Sequence, residues 1–167
     1  MIEIRDEQTG DEAVIREVHR RAFGGDEECR IVDALRASGV ALVSLVAAVN
    51  GRVVGHILYS PACVGADALG AALGPMGVVP EHQRQGIGTR LVEVGIERLR
   101  TAGCPFIVVV GHADYYPRFG FRPAAAHGIT CEWDVPADVF MVLMLDPVRM
   151  AGISGLARYR PEFSSGP

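Results

Sequence analysis

The chain has 167 residues, a length typical of one domain with a substantial hydrophobic core. Hydrophobic residues make up 49% of it and charged residues 22%, as in ordinary soluble globular proteins. The formal net charge is −4 and the pI is near 5.7. This balance excludes a general electrostatic attraction to nucleic acid or to an anionic membrane, so neither is expected as a partner.

The four cysteines are scattered along the chain, with no C-x-x-C pair and no histidine placed to complete a zinc site. They predict reduced, mostly buried thiols and no metal. The N-terminal residues 1–6 resemble neither a signal peptide nor a transit peptide. The longest apolar runs, 40–49 and 139–145, are too short to cross a bilayer. We therefore expect a cytoplasmic protein with no membrane partner.

The first half of the chain predicts a strand, two helices and a hairpin. Residues 2–5 alternate like a short strand, and the segment 9–12, Thr-Gly-Asp-Glu, is a capping-box pattern that would start the first helix. A second helix is expected after Gly24-Gly25. Asn50-Gly51, in the middle of the apolar stretch 42–59, predicts a β-hairpin because both residues tolerate the positive φ of a tight turn.

The second half begins with a Gly/Ala-rich connection at 61–71. Strands are predicted at 72–79, 105–111 and 139–145, and helices at 86–102 and 113–119. The strand at 72–79 is interrupted by glycine and proline, which indicates a bulge, an edge or close approach of a ligand. This order of elements predicts a mixed α/β (α+β) protein with one layer of sheet. We expect a single domain over residues 1–150 and a C-terminal tail, 151–167, docked on the same domain.

The most informative segment is the loop from Gln83 to Thr89, between an apolar strand and a long amphipathic helix. Free backbone N–H groups and the positive end of the helix dipole would converge there, which suits a phosphate or pyrophosphate. Gly86 and Gly88 would keep side chains away from such a ligand. The loop is not a P-loop, because Gly-Lys-Ser/Thr is absent, and it lacks the G-x-G-x-x-G of dinucleotide sites. A simple packing turn is the structural alternative.

Two motifs resemble the GNAT superfamily of N-acetyltransferases. The stretch from Val78 to Gly88, VVPEHQRQGIG, is similar to its acetyl-CoA signature, Gln/Arg-x-x-Gly-x-Gly/Ala. Further along the chain, Tyr116 to Phe121 resembles its Tyr-x-x-x-Gly-Phe element. The segments Ala22 to Gly25 and Val32 to Arg36 are most similar to the YhbS-like predicted acetyltransferases. The resemblance implies a GNAT-like single domain, with a mixed, largely antiparallel central sheet flanked by helices.

The resemblance also implies acetyl-CoA as the co-substrate and no metal. The backbone from Gln83 through Thr89 would hold the CoA pyrophosphate, with the Arg84 guanidinium and, as a second candidate, that of Arg90 near phosphate oxygens. The pantetheine arm would pair like an extra strand with Met76 to Val78, and the Val78 N–H would stabilise the oxyanion of the tetrahedral intermediate. The cofactor-binding set is Met76, Gly77, Val78, Gln83, Arg84, Gln85, Gly86, Ile87, Gly88, Thr89 and Tyr116.

Tyr116 has the position that is often assigned as general acid in this superfamily. A phenol with an ordinary pKa of about 10 stays protonated at neutral pH and can donate to the departing CoA thiolate. Tyr115 is the weaker candidate because it lacks the Tyr-x-x-x-Gly-Phe spacing. A packing aromatic that takes no part in proton transfer is the structural alternative for Tyr116.

The base that deprotonates the acceptor amine is left open. The strand 73–79 contains no acid. His56, His112 and the pair Glu27 and Glu28 are candidates, and each has a structural alternative as a core histidine, a packing residue or a solvated helix terminus.

We therefore expect an acetyl-CoA-dependent N-acetyltransferase that moves an acetyl group to a primary amine of a small molecule or peptide. Neither motif carries a thiol for a covalent acetyl-enzyme, so direct attack in a ternary complex is expected. The main alternative is a non-catalytic acyl-CoA-binding or regulatory module with the same fold. A second alternative is a nucleotide-binding protein that is unrelated to CoA. The resemblance is compatible with a homodimer, and the identity of the amine is left open.

Overall fold

The computed structural model describes residues 1–163; the last four residues of the predicted tail, 164–167, lie outside the described residues. The strands are β1 (Ile2–Asp6), β2 (Val43–Val49), β3 (Arg52–Val64), β4 (Ala68–Val78), β5 (Phe106–Val110), β6 (Arg122–Pro123), β7 (Ile129–Cys131), β8 (Phe140–Met144) and β9 (Gly155–Arg158). The α-helices are α1 (Glu12–Phe23), α2 (Glu27–Ala37), α3 (Ile87–Thr101) and α4 (Pro147–Met150). Single turns of 3-10 helix lie at Pro80–His82, Tyr116–Phe119, Ala124–His127 and Pro161–Phe163.

The chain divides into two compact units. Unit 1 consists of Met1–Tyr59 and Gly74–Arg98, and unit 2 consists of Ser60–Leu73 and the chain from Leu99 onward. Strands β3 and β4 each contribute residues to both units. The predicted boundary at residue 150 stays a prediction.

In unit 1 the strands form an antiparallel meander. Strand β1 pairs with β2, and β2 pairs with β3, with a register shift between Ala47 and Ala48. Asn50 and Gly51 connect β2 to β3 with φ values of 51° and 80°. The predicted hairpin is confirmed, because both turn residues have the left-handed conformation that an Asn-Gly turn provides.

Unit 2 contains both parallel and antiparallel ladders. Strand β5 pairs in parallel with β4 and antiparallel with β8, which also pairs antiparallel with β6. Strand β9 pairs antiparallel with β3 and in parallel with β7. The sheet is therefore mixed and mostly antiparallel, as the resemblance to the GNAT superfamily implied.

The prediction of a connection over 61–71 is wrong. Strand β3 continues to Val64 and β4 already begins at Ala68. The small residues there serve close packing: a Cβ built on Gly70 would lie 2.6 Å from the Phe106 ring. A Gly/Ala-rich composition is typical of loops, but here the lack of side-chain volume lets a large aromatic ring cover the strand.

Helix α1 begins one residue after Asp11, and the predicted capping box differs in detail. The Glu12 carboxylate accepts a hydrogen bond from the Gly10 N–H at 2.7 Å rather than from Thr9. The Asp11 carboxylate accepts a hydrogen bond from the Gln8 N–H at 2.7 Å and forms a salt bridge with Arg5 at 2.8 Å. The two carboxylates thus accept hydrogen bonds from backbone N–H groups that precede the helix, and their negative charge also complements the helix dipole.

Helix α3 packs directly on strand β3 in unit 1. The Tyr59 hydroxyl donates to the Val92 carbonyl at 3.0 Å, and a Cβ built on Gly95 would lie 2.1 Å from the Tyr59 ring. The predicted stop after the helix is confirmed, since Gly103 has a φ of 82°. Because α3 is held against β3, the loop that precedes α3 has a fixed position in unit 1.

None of the helices within residues 1–163 is both long and apolar enough to cross a membrane. In the same part of the chain, no group of three or more His, Cys, Asp or Glu side chains could hold a metal ion. Cys29 is buried and Cys63, Cys104 and Cys131 are half-buried, and all four are free thiols.

Gly95→Ala tests the contact between α3 and β3. Intrinsic helix propensity alone predicts a gain of about 1 kcal/mol from this substitution. We expect instead a loss of about 2 kcal/mol in the free energy of unfolding, because the new methyl group overlaps the Tyr59 ring. Urea denaturation measures the change. Glu93→Ala, exposed on the same helix, is the control and should stay within about 0.5 kcal/mol of wild type. A stabilised Gly95→Ala variant would contradict the packing argument.

Candidate functional site

The loop predicted to bind phosphate has an unusual backbone. Strand β4 ends at Val78, and the 3-10 turn Pro80–His82 leads into the loop before α3. In this loop Arg84 and Gly86 have positive φ values of 61° and 82°. Left-handed residues in a tight turn can direct neighbouring N–H groups to one side, where they form a concavity for an anion.

The start of α3 adds donors to this loop. The first hydrogen bond of the helix joins the Arg90 N–H to the Gly86 carbonyl at 3.1 Å. The N–H groups of Ile87 and Gly88 precede it, and helix geometry provides no carbonyl within the helix for them. A Cβ built on Gly86 would meet nothing within 4 Å, so the space beside this backbone is open. An anion there would also interact favourably with the helix dipole.

The side chains of the loop mostly stabilise its shape. The Gln83 amide donates to the Val78 carbonyl at 2.8 Å, which fastens the loop to the end of β4. The Gln85 amide donates to the Glu81 carbonyl at 3.3 Å. Ile87 is 1% exposed and belongs to the core. These three residues can therefore contribute to a ligand site mainly through their backbone.

Arg84 is the cation available to this loop. Its side chain is exposed, whereas the Arg90 guanidinium donates to the Ile2 carbonyl at 2.9 Å. The nearby acid Glu81 forms a salt bridge with Arg21, and the hydrogen bond from Arg21 lowers the pKa of Glu81. Glu81 is thus paired with Arg21, and the exposed Arg84 gives the loop a positive charge that a phosphate prefers.

The predicted residues of β4 lie against helix α1. Met76 is half-buried, and Gly77 and Val78 are buried. A Cβ built on Gly77 would lie 3.1 Å from His19 Nδ1 and 3.1 Å from the Ala22 methyl group. Glycine at position 77 therefore allows α1 to approach the strand. A contact of Met76, Gly77 and Val78 with the pantetheine arm stays a prediction.

Two fully buried histidines lie in this part of unit 1 and form a chain of hydrogen bonds. His19 Nε2 lies 2.8 Å from His56 Nδ1, and His56 Nε2 lies 2.8 Å from the Ser44 hydroxyl. Ser44 donates to Glu7 Oε1 at 2.8 Å. Arg36 donates to both oxygens of Glu7, at 2.7 and 3.1 Å. We call these five residues the histidine chain.

Burial and charge determine the protonation of the histidine chain. Partial burial opposes the ionisation of Glu7, but the nearby His56 Nε2, 3.6 Å from Glu7 Oε1, and hydrogen bonds from Arg36 and Ser44 outweigh it and hold the pKa of Glu7 far below its usual range. Burial, assisted by the nearby His56 and Arg36, lowers the pKa of His19 to about 3. Burial also lowers the pKa of His56, against the opposing hydrogen bond to Glu7. At neutral pH the chain therefore contains one carboxylate and two neutral imidazoles.

Sequence reasoning named His56 only as one of several candidate bases and missed His19. The periodicity of α1 carried a signal for it, because His19 follows the buried Ile15 by four residues and so lies on the same helix face. Its link to Glu7 and Ser44 could not be predicted, since the four side chains come from separate elements. The other candidates, His112 and Glu27, are exposed, and Glu28 is half-buried.

Tyr116 lies in unit 2, at the start of the 3-10 turn Tyr116–Phe119. Its ring lies against the backbone of Gly111, where a Cβ would come within 2.3 Å of it. It packs edge-on against Tyr115 and Phe121, with ring centroids 5.1 and 5.7 Å away. Burial raises the pKa of Tyr116, and the neighbouring Tyr115 adds to the effect. The phenol is thus a rigidly held group that stays protonated well above neutral pH.

The structure places the predicted site residues in two groups. Met76 to Val78 and Gln83 to Thr89 belong to unit 1, where the Gln83 amide joins the two segments, and Tyr116 belongs to unit 2. The roles assigned to these residues stay predictions.

Comparison with known proteins gives a consistent family assignment. A model of the acetyltransferase (GNAT) family matches residues 10–121. The uncharacterised N-acetyltransferase YjhQ of Escherichia coli K12 is 41% identical over 134 residues, which cover 77% of this chain and 74% of YjhQ. The uncharacterised N-acetyltransferase YhbS of the same strain is 33% identical over 147 residues, covering 87% of this chain and 88% of YhbS.

Solved structures agree with this assignment. The crystal structure of Escherichia coli YhbS in complex with CoA has a TM-score of 0.93 at 33% identity and covers 98% of this chain and 92% of its own. A GNAT family acetyltransferase from Brucella melitensis in complex with acetyl-CoA has a TM-score of 0.83 at 36% identity, covering 98% of both chains. The predicted GNAT-like fold and the similarity to the YhbS-like branch are confirmed.

The buried histidine predicts a pH dependence of stability. Unfolded His19 takes up a proton near its ordinary pKa of 6.5, whereas folded His19 stays neutral down to about pH 3. The free energy of unfolding should therefore fall as the pH decreases through 6.5, and the share of His19 amounts to about 2 kcal/mol at about pH 5. Glu7 acts with the same sign, but only below its unfolded pKa of 4.5.

Urea denaturation between about pH 7.5 and pH 5 checks this. His19→Gln should make the decrease smaller without abolishing it, because the lowered pKa of His56 acts in the same direction. His127→Gln, at an exposed position, should leave the decrease unchanged. An equal pH slope in all three proteins would show that His19 is not held neutral in the folded state.

Proposed function

The chain belongs to the acetyltransferase (GNAT) family and is an acyltransferase, and on that premise we propose that it moves the acetyl group of acetyl-CoA to a primary amine. The amine attacks the thioester directly, in a ternary complex. The observation that carries the proposal is the loop before α3, with left-handed Arg84 and Gly86 and open space beside Gly86. The CoA and acetyl-CoA bound in the YhbS and Brucella structures support it.

In this proposal the loop holds the pyrophosphate. The N–H groups of Ile87 and Gly88 donate to phosphate oxygens, and the exposed Arg84 adds a charge-assisted contact. Gln83 keeps the loop in place through its hydrogen bond to Val78. The backbone of Gln85 and Thr89 completes the cradle.

The acetyl end is proposed to lie along β4. The pantetheine arm adds to Met76, Gly77 and Val78 like a further strand, and the Val78 N–H donates to the carbonyl oxygen of the thioester. A donor at this position stabilises the negative charge that develops on the oxygen when the amine attacks. This interaction strengthens in the transition state and therefore accelerates the chemical step.

Tyr116 is proposed as the general acid. When the C–S bond breaks, its phenol gives a proton to the CoA thiolate. The raised pKa of Tyr116 supports this role because the group stays protonated over the whole physiological range. Contact with Gly111 and the surrounding aromatic rings limits its rotation.

The partners and location are proposals as well. The acceptor is an amine of a small molecule or peptide, and the acidic net charge of −4 favours a cationic one. We propose the homodimer from the resemblance to the GNAT superfamily. We propose the cytoplasmic location and the lack of nucleic-acid and membrane partners from the composition and charge of the sequence.

Gly86→Glu tests the placement of the pyrophosphate, with Gly86→Ala as its matched control. Both substitutions introduce a Cβ at a φ of 82°, so they share the backbone strain, and only the first introduces a negative charge. Isothermal titration calorimetry at fixed salt should show acetyl-CoA binding weakened about a hundredfold or more by Gly86→Glu and at most about tenfold by Gly86→Ala. Normal binding by Gly86→Glu would show that the pyrophosphate lies elsewhere.

Tyr116→Phe tests the general acid. A screen of acetyl-CoA consumption over amines, amino acids, aminoglycosides and lysine peptides first identifies an acceptor for wild type. With that acceptor, Tyr116→Phe should lower kcat by about 10²- to 10⁴-fold while the Kd of acetyl-CoA changes little. A wild-type kcat in Tyr116→Phe would refute the general-acid role. Binding of acetyl-CoA without transfer to any amine by wild type would favour the non-catalytic module instead.

A further inference from the structure

The histidine chain ends in a buried nitrogen without a partner. Among the described residues, His19 Nδ1 is fully buried and makes no hydrogen bond. A buried polar atom in this state is costly unless a ligand or water completes it, and such atoms are rare in native proteins. This nitrogen lies 3.1 Å from the Cβ position of Gly77, on the strand that the proposed function assigns to the acetyl group.

The hydrogen-bond pattern determines which ring atoms carry protons. Glu7 is ionised and can only accept, so the Ser44 hydroxyl proton points to Glu7. The Ser44 oxygen must then accept from His56 Nε2–H, which also lies 3.6 Å from Glu7 Oε1. His56 Nδ1 consequently lacks a proton and accepts from His19 Nε2–H.

The same reasoning leaves His19 Nδ1 unprotonated. A neutral imidazole carries one proton, and in His19 that proton is on Nε2. Nδ1 therefore presents a lone pair toward Gly77, and the anionic Glu7 at the other end of the chain stabilises a positive charge on either ring. His56 lacks a free lone pair because both of its ring nitrogens are engaged.

We propose that His19 is the general base of the transfer reaction, an inference that rests on the proposed function. His19 Nδ1 accepts the proton of the attacking amine nitrogen. His56 and Ser44 position the His19 ring, and the anionic Glu7 stabilises the positive charge that the two histidines then carry. Val78, the proposed oxyanion donor, is the next residue along β4 after Gly77, so base and donor serve the same short segment of strand.

Phe23 lies beside the His19 ring at the surface of unit 1. Phe23 stacks on the His19 ring at a centroid distance of 6.0 Å, and its Cε2 lies 3.4 Å from the same Cβ position of Gly77. Phe23 is 47% exposed, so its ring can move without disrupting the core. The amine would reach Nδ1 by displacing this ring.

The charges that face the two histidines come from Glu7, Arg36 and Asp11. Burial, and after it His56 and Arg36, disfavour a proton on His19, which keeps the nitrogen available as an acceptor. So weak a base cannot deprotonate a free ammonium group. An amine that is cationic in solution must therefore lose one proton to water before it binds. It gives up a second proton only after it has attacked, when attachment to the tetrahedral carbon has made the nitrogen acidic.

The proton and electron balance of the reaction is complete. The amine lone pair forms a C–N bond to the acetyl carbon, and the carbonyl oxygen becomes an oxyanion beside the Val78 N–H. The amine nitrogen then gives its proton to His19 Nδ1. Collapse of the oxyanion breaks the C–S bond, and the CoA sulfur takes the proton of Tyr116. His19 later loses one proton and Tyr116 regains one from solvent, so the enzyme returns to its initial state.

His19→Gln is the main test, because the glutamine amide can still donate to His56 but carries no basic nitrogen. At saturating acetyl-CoA and amine, we expect kcat to fall by about 10²- to 10⁴-fold with an unchanged Kd for acetyl-CoA. Between about pH 7 and pH 9 the variant's kcat should rise in proportion to hydroxide, whereas the wild-type kcat should be nearly level. A merely structural role would not produce this change of pH profile. His127→Gln is the control and should behave like wild type.

Glu7→Gln tests the chain from its other end. It removes the charge that stabilises protonated His19 and should lower kcat by about tenfold. The variant that combines Glu7→Gln with His19→Gln should have a kcat no more than about twofold below that of His19→Gln alone, because Glu7 acts through His19. The Kd of acetyl-CoA, measured for every variant, shows that unit 1 is folded.

The outcomes separate this inference from the proposed function. If wild type transfers acetyl groups and His19→Gln keeps kcat within about threefold and a level pH profile, the inference is wrong and the proposed function stands. Fully additive losses in the double variant would likewise overturn the link from Glu7 through His19. If wild type acetylates no amine, the proposed function itself fails.

Discussion

The ionised carboxylate of Glu7 is the contact on which the arrangement of unit 1 depends. It accepts hydrogen bonds from Arg36 of α2 and Ser44 of β2, and Ser44 is in turn hydrogen-bonded to His56 of β3. His56 in turn holds His19 of α1. Glu7 is half-buried, whereas His56 is fully buried. Removal of the Glu7 carboxylate should be destabilising, because the buried groups would lose the partner for which they were desolvated. One carboxylate thus holds both helices of the N-terminal half in a fixed orientation to the hairpin.

Close approach at glycine is the second constraint, and it acts in both units. Gly95 admits the Tyr59 ring beneath α3, Gly77 admits α1 beside β4, and Gly111 admits the Tyr116 ring. In each case the absent side chain makes room for another part of the protein. Gly86 differs from these three, since nothing occupies the space where its side chain would be. Gly86 therefore does not serve packing, and the open space beside it is compatible with the proposed pyrophosphate site.

The parts of the fold that the sequence predicted correctly are those with local causes. The hairpin depends on Asn50 and Gly51, and the end of α3 depends on Gly103, so a short window of sequence contains the whole reason. The error over 61–71 has a distant cause: the Phe106 ring, well over thirty positions along the chain, explains why Gly70 has no side chain. Local composition cannot distinguish a flexible loop from a strand packed under an aromatic ring.

The same distinction divides the candidate site. The loop before α3 could be recognised because its donors are consecutive backbone groups and two left-handed residues, all within one motif. The histidine chain could not, because Glu7, His19, Ser44 and His56 are meaningful only after β1, α1, β2 and β3 have come together. A base assembled in this way requires no acid on β4 and produces no recognisable motif in the sequence. The absence of an acid from residues 73–79 is therefore consistent with a base supplied from α1, whose orientation is determined by the carboxylate at the far end of the chain.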